Sequence, residues 1–213
     1  MGPSMATRTY YDAKAHGLRY DPLKAIVAPR PIGWISTYGE DGSTNLAPYS
    51  FFNLVSDSPK IVMFSSVGWK DTATNAKARG AFAANLATQR MIEAMNESSA
   101  AFESGRSEFE EVGLTPAKCR DVDAPMIADA DAVLECVVTE IIIPRTVEGT
   151  DSSAVMVLAQ VVSYHIADRL MIDGRFSSAE ARLLSRLGYF DYATVDETFE
   201  LRRPDQVTPR ARS

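Results

Sequence analysis

The chain alternates apolar runs with short polar clusters, a pattern that predicts strands joined by turns. The runs are rich in valine, isoleucine, phenylalanine and alanine, and glycine, proline, asparagine or aspartate separates them. Between the second and third runs, Gly39-Glu40-Asp41-Gly42 predicts a hairpin, because glycine accepts the positive φ of tight turns. The apolar runs lie at 25–28, 32–38, 45–52, 60–65, 81–86, 133–143 and 153–166. The pattern therefore predicts a mainly β protein.

Two stretches between these runs have the pattern of helices. Residues 72–79 begin at Thr72, a predicted N-cap, and stop at Gly80. Residues 89–103 follow a threonine and place methionine and isoleucine side chains on one face.

A third helix is predicted near the carboxyl end. Ser177 and Glu180 form a capping box at its start, and Gly188 is its predicted end. Its predicted apolar stripe consists of Leu183, Leu184 and Leu187. The segment 104–131, with alternating acidic residues, glycine, proline and alanine, is expected to be a long surface excursion between strands.

Two of the predicted strands lack a polar face. The residues around Leu134, Cys136 and Val138 are apolar on both sides, and so is the run 155–162 apart from Gln160. Such strands are buried on both faces. We expect one face to pack in the protein's own core and the other against a second subunit, which predicts a homodimer.

Composition and charge narrow the class of protein. The 213 residues, 46% hydrophobic and 23% charged, suit one globular domain, expected at 6–203 between a cloning remnant at 1–5 and a flexible tail at 204–213. The net charge of −6 argues against a nucleic-acid partner. The chain shows no apolar run of about 18 residues and no signal-peptide pattern, so we expect a cytoplasmic protein that is not bound to a membrane.

Several kinds of chemistry have no support in the sequence. Cys119 and Cys136 have no CxxC spacing and no neighbouring histidine, so no metal site is predicted and both thiols are expected to be reduced. The sequence also lacks GxGxxG, GxxxxGK[ST], HExxH and GxSxG, the motifs of dinucleotide folds, P-loops, zinc proteases and α/β-hydrolases.

The segment SSVGWKDT indicates a phosphate site. Ser65 and Ser66 supply hydroxyls at the end of a strand, and Lys70 precedes a helix whose free N–H groups begin near Thr72. Hydroxyls, an ammonium group and a helix N-terminus together suit a phosphate monoester. The alternative is that Asp71 or Thr72 is only a helix cap and Lys70 a solvated charge.

The segment NLAPYSFFN indicates a platform for a flat heterocycle. It places three aromatic residues among Asn45, Ser50 and Asn53, and the residues before Pro48 must be extended. An extended backbone can present N–H and C=O groups to the edge of a ring such as isoalloxazine. The alternative is that Tyr49, Phe51 and Phe52 fill the barrel core.

Three further residues have two interpretations each. Trp34 either lines a ligand pocket or fills the mouth of the barrel. Arg30, between two prolines, is costly to bury unpaired, so it meets a carboxylate or a phosphate or lies in solvent. His165 ends the strand 153–166 and is either structural or functional.

Taken together, these segments resemble the FMN-binding flavin reductase-like proteins, a group that includes flavoredoxin and the reductase components of two-component flavin monooxygenases. The resemblance covers about residues 20–200. The matching segments, in order, are PRPIGWIST, the turn at Asp41-Gly42, NLAPYSFFN, KDT with Asn75, FAANL at 82–86, VVSYHI at 161–166 and RLGYF at 186–190.

The resemblance implies a fold and a cofactor site. The fold would be a split β-barrel of Greek-key type with short flanking helices, and FMN would lie near the interface of a homodimer. The resemblance places the phosphate at Ser65, Lys70, Asp71 and Thr72, the ribityl chain and ring at Trp34, Ser36 and Thr37, and the isoalloxazine at the backbone of Asn45, Leu46, Ala47, Pro48, Tyr49 and Ser50. His165, as a catalytic residue, and Phe190 would lie near the flavin face or the nicotinamide.

The chain departs from the family pattern at two places. Ala159-Gln160 stands where the family often has Gly-Glu, and Tyr189 follows Gly188 where a second glycine is common. We expect the first change to alter strand packing or the dimer contact. We expect the second to make the loop over the flavin bulkier, and both to affect substrate range rather than FMN binding.

The implied activity is reduction of FMN by NADH or NADPH, with FAD or riboflavin as further flavin substrates and a monooxygenase as a partner that uses the reduced flavin. Hydride transfer needs no strong acid or base, which is consistent with the lack of a catalytic triad. Two alternatives remain open at this stage. One is an electron carrier that holds FMN tightly and exchanges electrons with protein partners, and the other is a barrel that binds a different phosphorylated ligand or haem.

Overall fold

A computed structural model describes residues 8–100, 102 and 106–201. The strands are β1 (Arg30–Pro31), β2 (Gly33–Tyr38), β3 (Thr44–Tyr49), β4 (Phe52–Asp57), β5 (Lys60–Val67), β6 (Ala81–Leu86), β7 (Pro116–Lys118), β8 (Pro125–Ile127), β9 (Ala132–Ile142), β10 (Ala154–Ile166), β11 (Met171–Ile172), β12 (Arg175–Phe176), β13 (Leu184–Arg186) and β14 (Tyr192–Thr194). The α-helices are α1 (Leu23–Ile26), α2 (Asp71–Arg79), α3 (Ile92–Glu97), α4 (Glu108–Glu111) and α5 (Ser178–Ala181), with 3₁₀ turns at Gln89–Met91 and Asp168–Leu170.

Seven strands form one antiparallel sheet in the order β3-β2-β6-β9-β10-β5-β4. Strands β3 and β4 occupy opposite edges of this sheet, yet only Ser50 and Phe51 separate them along the chain. Two linking residues span about 10 Å at most. The sheet must therefore curl until its edges meet, and the mainly β prediction is confirmed as a split β-barrel.

The barrel interior is filled by alternate residues of its strands. Along β10, Val155, Val157 and Ala159 are buried, whereas Gln160 and Val162 are exposed. The inward residues pack with others from β2, β5, β6, β9 and α2, namely Ile35, Phe64, Ala73, Ala76, Phe82 and Cys136. Strand β10 thus has two largely apolar faces. One face packs in the core, and the other is exposed to solvent in this chain.

A second core lies outside the barrel and corrects the prediction for 104–131. It is built around Trp34, with Phe109 from α4 and Ile127 from β8 fully buried beside it. The segment is therefore not a surface excursion throughout. Single apolar residues, Phe109 and Ile127, anchor the segment between its acidic residues. The average composition of the segment does not reveal such single positions.

The structure contains the predicted turn and the first predicted helix, and a shorter form of the second. The hairpin is confirmed, since β2 pairs with β3 and Gly42 has a φ of +85°. Helix α2 is confirmed and ends at Gly80 with a φ of +67°, although it begins at Asp71 rather than Thr72. The helix predicted at 89–103 is shorter, a 3₁₀ turn followed by α3 up to Glu97.

The third predicted helix is wrong beyond its first turn. Ser177 Oγ does accept the N–H of Glu180 at 3.2 Å, so the predicted cap is present. Arg182 then adopts a φ of +47°, which ends the helix. Residues 184–186 instead form β13 between β1 and β14, because strand pairing buries Leu184 better than a short helix would.

The predicted segments 1–5 and 204–213 lie outside the described residues. Among the helices that the structure describes, none is both long and apolar enough to cross a bilayer. Cys119 and Cys136 are buried free thiols, and burial raises the pKa of Cys119 to about 12. Such a thiol is protonated at neutral pH and unreactive.

Candidate functional site

The turn from β5 into α2 brings several phosphate-binding features together. The first helical hydrogen bond is made by Thr74 N–H to the Lys70 carbonyl at 3.0 Å, so the N–H groups of residues 71–73 have no acceptor within the helix. No side chain caps this N-terminus, and Lys70 is exposed beside it. A dianionic phosphate would satisfy these donors and the positive end of the helix dipole.

Ser66 gives an independent indication of a missing partner. Its hydroxyl is buried near the Tyr49 hydroxyl but makes no hydrogen bond of normal geometry with the described residues. A buried hydroxyl without a partner costs free energy, and a ligand oxygen would remove that cost. Ser65 is half-buried next to it, with its backbone N–H bound to the Phe51 carbonyl at 2.8 Å. The residues present therefore fit a phosphate-bearing cofactor at this turn.

A buried polar cluster supports the same turn from below. Asn45 Nδ2 donates to Thr37 Oγ1 at 3.1 Å and to Thr72 Oγ1 at 2.9 Å, and Asn75 Nδ2 donates to Thr37 Oγ1 at 3.2 Å. The cluster ties β2 and β3 to the first turns of α2. It fixes the position of the helix N-terminus relative to the end of β3.

Tyr49 connects the polar cluster to the barrel core. Its ring packs on Phe64 with centroids 4.9 Å apart. Burial raises the pKa of the Tyr49 hydroxyl, and the neighbouring Thr72 and Ser66 hydroxyls act in the opposite direction. Tyr49 is therefore a neutral hydrogen-bonding group at physiological pH, placed between the strand platform and the helix.

The end of β3 opens into a cleft of about 1190 Å³. Pro48, Ser50, Asn53, Tyr20 and Tyr189 are among the residues that line it. The outward N–H of Leu46, two residues before Pro48 on this edge strand, is bound by the Glu108 carboxylate at 3.0 Å. Pro48 therefore occupies an outward position where the sheet needs no donor, which is the place that an edge strand tolerates proline.

Four of the predicted cofactor contacts are fully buried in this structure, one of them Thr37 of the polar cluster. Trp34 Nε1 donates to Ser98 Oγ at 2.9 Å, Ser36 Oγ donates to the Pro125 carbonyl at 2.6 Å, and Leu46 is a core residue. Their side chains have no exposed surface for a ligand to contact. Trp34 thus corresponds to the packing alternative, because the second core closes over it.

His165 lies far from the phosphate turn within one chain. Met156 of β10 pairs with Ser65, and nine residues of strand, about 30 Å, separate Met156 from His165. His165 Nε2 instead contacts Glu135 Oε1 at 2.5 Å. In one chain its observed role is therefore to bind Glu135.

Glu135 binds the loop of residues 120–122, a role that the sequence pattern did not reveal. Its fully buried carboxylate accepts backbone N–H groups from Arg120, Asp121 and Val122 at 2.8, 2.6 and 3.0 Å. Burial raises the pKa of Glu135, but the hydrogen bonds from His165 and from the loop outweigh it and hold the pKa below its usual 4.5. A single acidic residue inside an apolar strand was the available signal.

Phe190 and Arg30 lie in surroundings that differ from the predicted ones. Phe190 is 92% exposed, while the adjacent Tyr189 lines the cleft with a φ of +53°. Among the described residues Arg30 meets no carboxylate, and its side chain does not lie in solvent. It is buried, and its guanidinium donates to the carbonyls of Lys24, Val27 and Leu187, three acceptors that sequence patterns do not identify.

The fold and the candidate site together define a class of protein. It is a split β-barrel with a helix N-terminus suited to phosphate and a cleft lined by aromatic rings. Comparison with known proteins gives the family. Residues 27–180 match the flavin reductase like domain, and the chain belongs to that flavin-binding family.

Individual relatives agree with this assignment. The chain is 35% identical to an uncharacterised protein of Halalkalibacterium halodurans over 91% of this chain and 94% of the relative. Nitrilotriacetate monooxygenase component B from Bacillus cereus superposes with a TM-score of 0.83, at 29% identity over 93% of this chain and 100% of that one. Flavoredoxin of Desulfovibrio vulgaris shares the fold, with a TM-score of 0.73 at 16% identity over 94% and 97% of the two chains.

Proposed function

We propose that the protein is an NAD(P)H-dependent reductase that binds FMN. The observation that carries the proposal is the turn from β5 into α2, which has free helix N–H groups, an exposed Lys70 and a buried Ser66 hydroxyl without a hydrogen-bond partner among the described residues. Family membership supports it. When bound, FMN would supply the capacity to accept hydride from NADH or NADPH.

The chain's own residues would bind and orient the cofactor. Ser65, Ser66, Lys70 and the first turn of α2 would hold the phosphate, with Asp71 and Thr72 at the start of that turn. The backbone from Ala47 to Ser50 would lie along the ring, since β3 opens there into the cleft. The cluster of Thr37, Asn45 and Asn75 would keep the two parts at a fixed separation, as a preorganised site requires.

The test compares flavin affinity and nicotinamide oxidation in three proteins. We expect Lys70→Ala to weaken FMN binding by about tenfold or more, because a charge-assisted contact to phosphate is worth ~1.5–3 kcal/mol. Lys77→Ala is the matched control, since Lys77 lies on the same helix with its ammonium over the Trp69 ring, 4.8 Å from the centroid. Fluorescence titration of FMN measures the affinity.

The same samples, saturated with FMN, are then mixed with NADH or NADPH in separate cuvettes. Rapid loss of the nicotinamide absorbance is expected, with Lys70→Ala close to wild type once flavin is saturating. If FMN binds but neither nucleotide is oxidised, the electron-carrier alternative is favoured. If FMN does not bind at all, the proposed site is wrong.

We also propose that the reduced flavin is passed to a monooxygenase. The support is the name of a structural neighbour, component B of nitrilotriacetate monooxygenase. Gel filtration of the anaerobically reduced protein tests the idea. Flavin that leaves the protein on reduction supports supply to a partner, and flavin that stays bound in both redox states contradicts it.

A further inference from the structure

Trp69 is an exposed aromatic residue in the proposed phosphate turn. The chain has two tryptophans, of which Trp34 is fully buried and Trp69 is 49% exposed. Trp69 immediately precedes Lys70, and α2 begins at the residue after that, Asp71. Consecutive Cα atoms are about 3.8 Å apart, so the same turn carries the indole and the free helix N–H groups. A tryptophan left in solvent at this place needs an explanation, because large aromatic side chains gain free energy on burial.

Lys77 restrains the indole of Trp69. The Lys77 ammonium lies over the ring, with Nζ 4.8 Å from the centroid, which is a cation–π contact. Trp69 precedes α2 and Lys77 lies in the last turn of that helix, so the contact keeps the ring along the flank of α2. A ring that is restrained before binding loses less conformational entropy when a second ring stacks on it. The exposed half of the indole is therefore a preorganised stacking surface.

Two lysines adjoin the indole with little acid between them. Lys70 and Lys77 are exposed, and neither forms an ion pair in the ranges that the structure describes. Asp71 is the one carboxylate between them in the sequence. A single lysine suits one phosphate group, and a second cation further along suits an anion that extends past that phosphate. A diphosphate is such an anion.

The surface just before Trp69 is open and partly apolar. Val67, the last residue of β5, is 66% exposed, and a Cβ added at Gly68 would meet no atom within 4 Å. The Gly68 N–H binds the Ser153 carbonyl at 2.7 Å, which fixes the backbone of this stretch to the residue that precedes β10. Residues 67–69 therefore combine a fixed backbone with free space around Gly68, as a surface subsite for a ligand requires.

We propose that Trp69 and Lys77 form a subsite for the adenylate half of FAD, in which the adenine stacks on the indole and Lys77 contacts the second phosphate. The inference rests on the proposed function, because the first phosphate of FAD would occupy the turn that holds the phosphate of FMN. FAD differs from FMN by an adenylate joined through that phosphate, so its additional part begins at the turn that carries Trp69. Stacking of a base on an aromatic side chain strengthens binding. The site therefore prefers FAD to FMN.

Calorimetric titration of the flavin-free protein with FMN and with FAD tests the proposal. The readout is the ratio of the two Kd values in each protein, so that a general loss of flavin affinity cancels. We expect the wild type to bind FAD about tenfold more tightly than FMN, because stacking of one base contributes roughly this factor.

The variants separate stacking from charge. Trp69→Ala should bring the ratio to about one with the FMN affinity unchanged, and Trp69→Phe should retain part of the preference because it keeps an aromatic face. Lys77→Ala should reduce the preference about threefold, since an exposed charge contributes modestly. Phe199→Ala is the matched control, because Phe199 is another aromatic residue, 89% exposed, outside the turn. Its ratio should equal that of the wild type.

Equal affinities for FAD and FMN in the wild type would overturn the subsite, and so would a Trp69→Ala protein that keeps the wild-type ratio. In both cases FMN still binds and the proposed function stands, whereas binding of neither flavin refutes the proposed function itself. The adenine of NADH or NADPH is the other source of a stacking base, and ADP-ribose added to the FMN-loaded protein tests it. Weaker ADP-ribose binding in Trp69→Ala, with an unchanged flavin ratio, would assign the indole to the nicotinamide dinucleotide and overturn the proposal. Lys77 is exposed, so its variant remains informative if Trp69→Ala fails to fold.

Discussion

At the scale of single residues, Glu135 shows how one buried carboxylate can organise a loop. Three consecutive backbone N–H groups and His165 surround it, and Cys119 and Asp121 lie in the same loop. Because its pKa is held below 4.5 in the folded chain, ionisation of Glu135 stabilises the fold at neutral pH. That contribution is present above the unfolded pKa and is lost as the pH falls through the lower, folded value.

We therefore expect Glu135→Gln to lower the free energy of unfolding at pH 7 by about 2 kcal/mol, since the amide cannot accept all four hydrogen bonds. Urea unfolding measures the difference. Glu140→Gln, an exposed position on the same strand, is the control. The difference between wild type and Glu135→Gln should narrow as the pH falls below 4.5, because the native carboxylate takes up its proton only below that usual value. A difference in the free energy of unfolding that stays constant with pH would contradict the stabilising role of the ionised Glu135 carboxylate.

At the scale of elements, α2 is the part of the site that local chemistry controls. Its N-terminus is left uncapped by side chains, and its C-terminus ends at Gly80 in the left-handed conformation, with Gly80 N–H bound to the Ala76 carbonyl at 2.9 Å. An added Cβ at Gly80 would meet no atom within 4 Å, so the glycine is needed for its backbone conformation alone.

Gly80→Ala should thus cost about 1 kcal/mol in thermal or urea unfolding, and Gly80→Asn should cost less because asparagine tolerates the left-handed region. FMN affinity should change little in either variant, since the phosphate-binding turn is at the other end of the helix. Equal losses for alanine and asparagine would show that packing, and not φ, fixes this position.

At the scale of the whole molecule, one face of the barrel remains apolar in solvent. Val162 and Tyr164 of β10 are 45% and 52% exposed, and Val137 of β9 lies beside them with Ile166. Gln160, one of the departures from the family pattern, lies on the same face. An exposed apolar sheet face of this kind marks an interface. We propose that it is the dimer contact that the doubly apolar strands predicted.

Light scattering tests this proposal. The wild type should have twice the mass of the 23.3 kDa chain, and Val162→Glu should shift the population toward the monomer, because a charge would be buried without a partner. Val147→Glu is the control, since Val147 is 99% exposed on a loop. A monomeric wild type, or a Val162→Glu protein with unchanged mass, would rule out this face as the contact.

The features that the sequence predicted well depend on neighbours close in the chain. The turn at Gly42 and the helix stop at Gly80 follow from φ preferences, and the existence of β10 follows from its mostly apolar run. The proposed phosphate turn rests on the same kind of local signal, because Ser65, Ser66 and Lys70 are adjacent to α2 in the chain. Such signals lie within about ten residues and need no knowledge of the fold.

What the tertiary structure decided depends on partners that are distant in sequence. Leu184 became part of a strand because β1 and β14 offered backbone partners, and Trp34 became core because Ser98 and the segment around Phe109 closed over it. Arg30 found its acceptors partly in Leu187, 157 residues away. The sequence by itself determined a mainly β chain with a phosphate-ready helix. Only folding brought Pro48, Tyr20 and Tyr189 together at the cleft, because their positions depend on contacts between elements rather than within them.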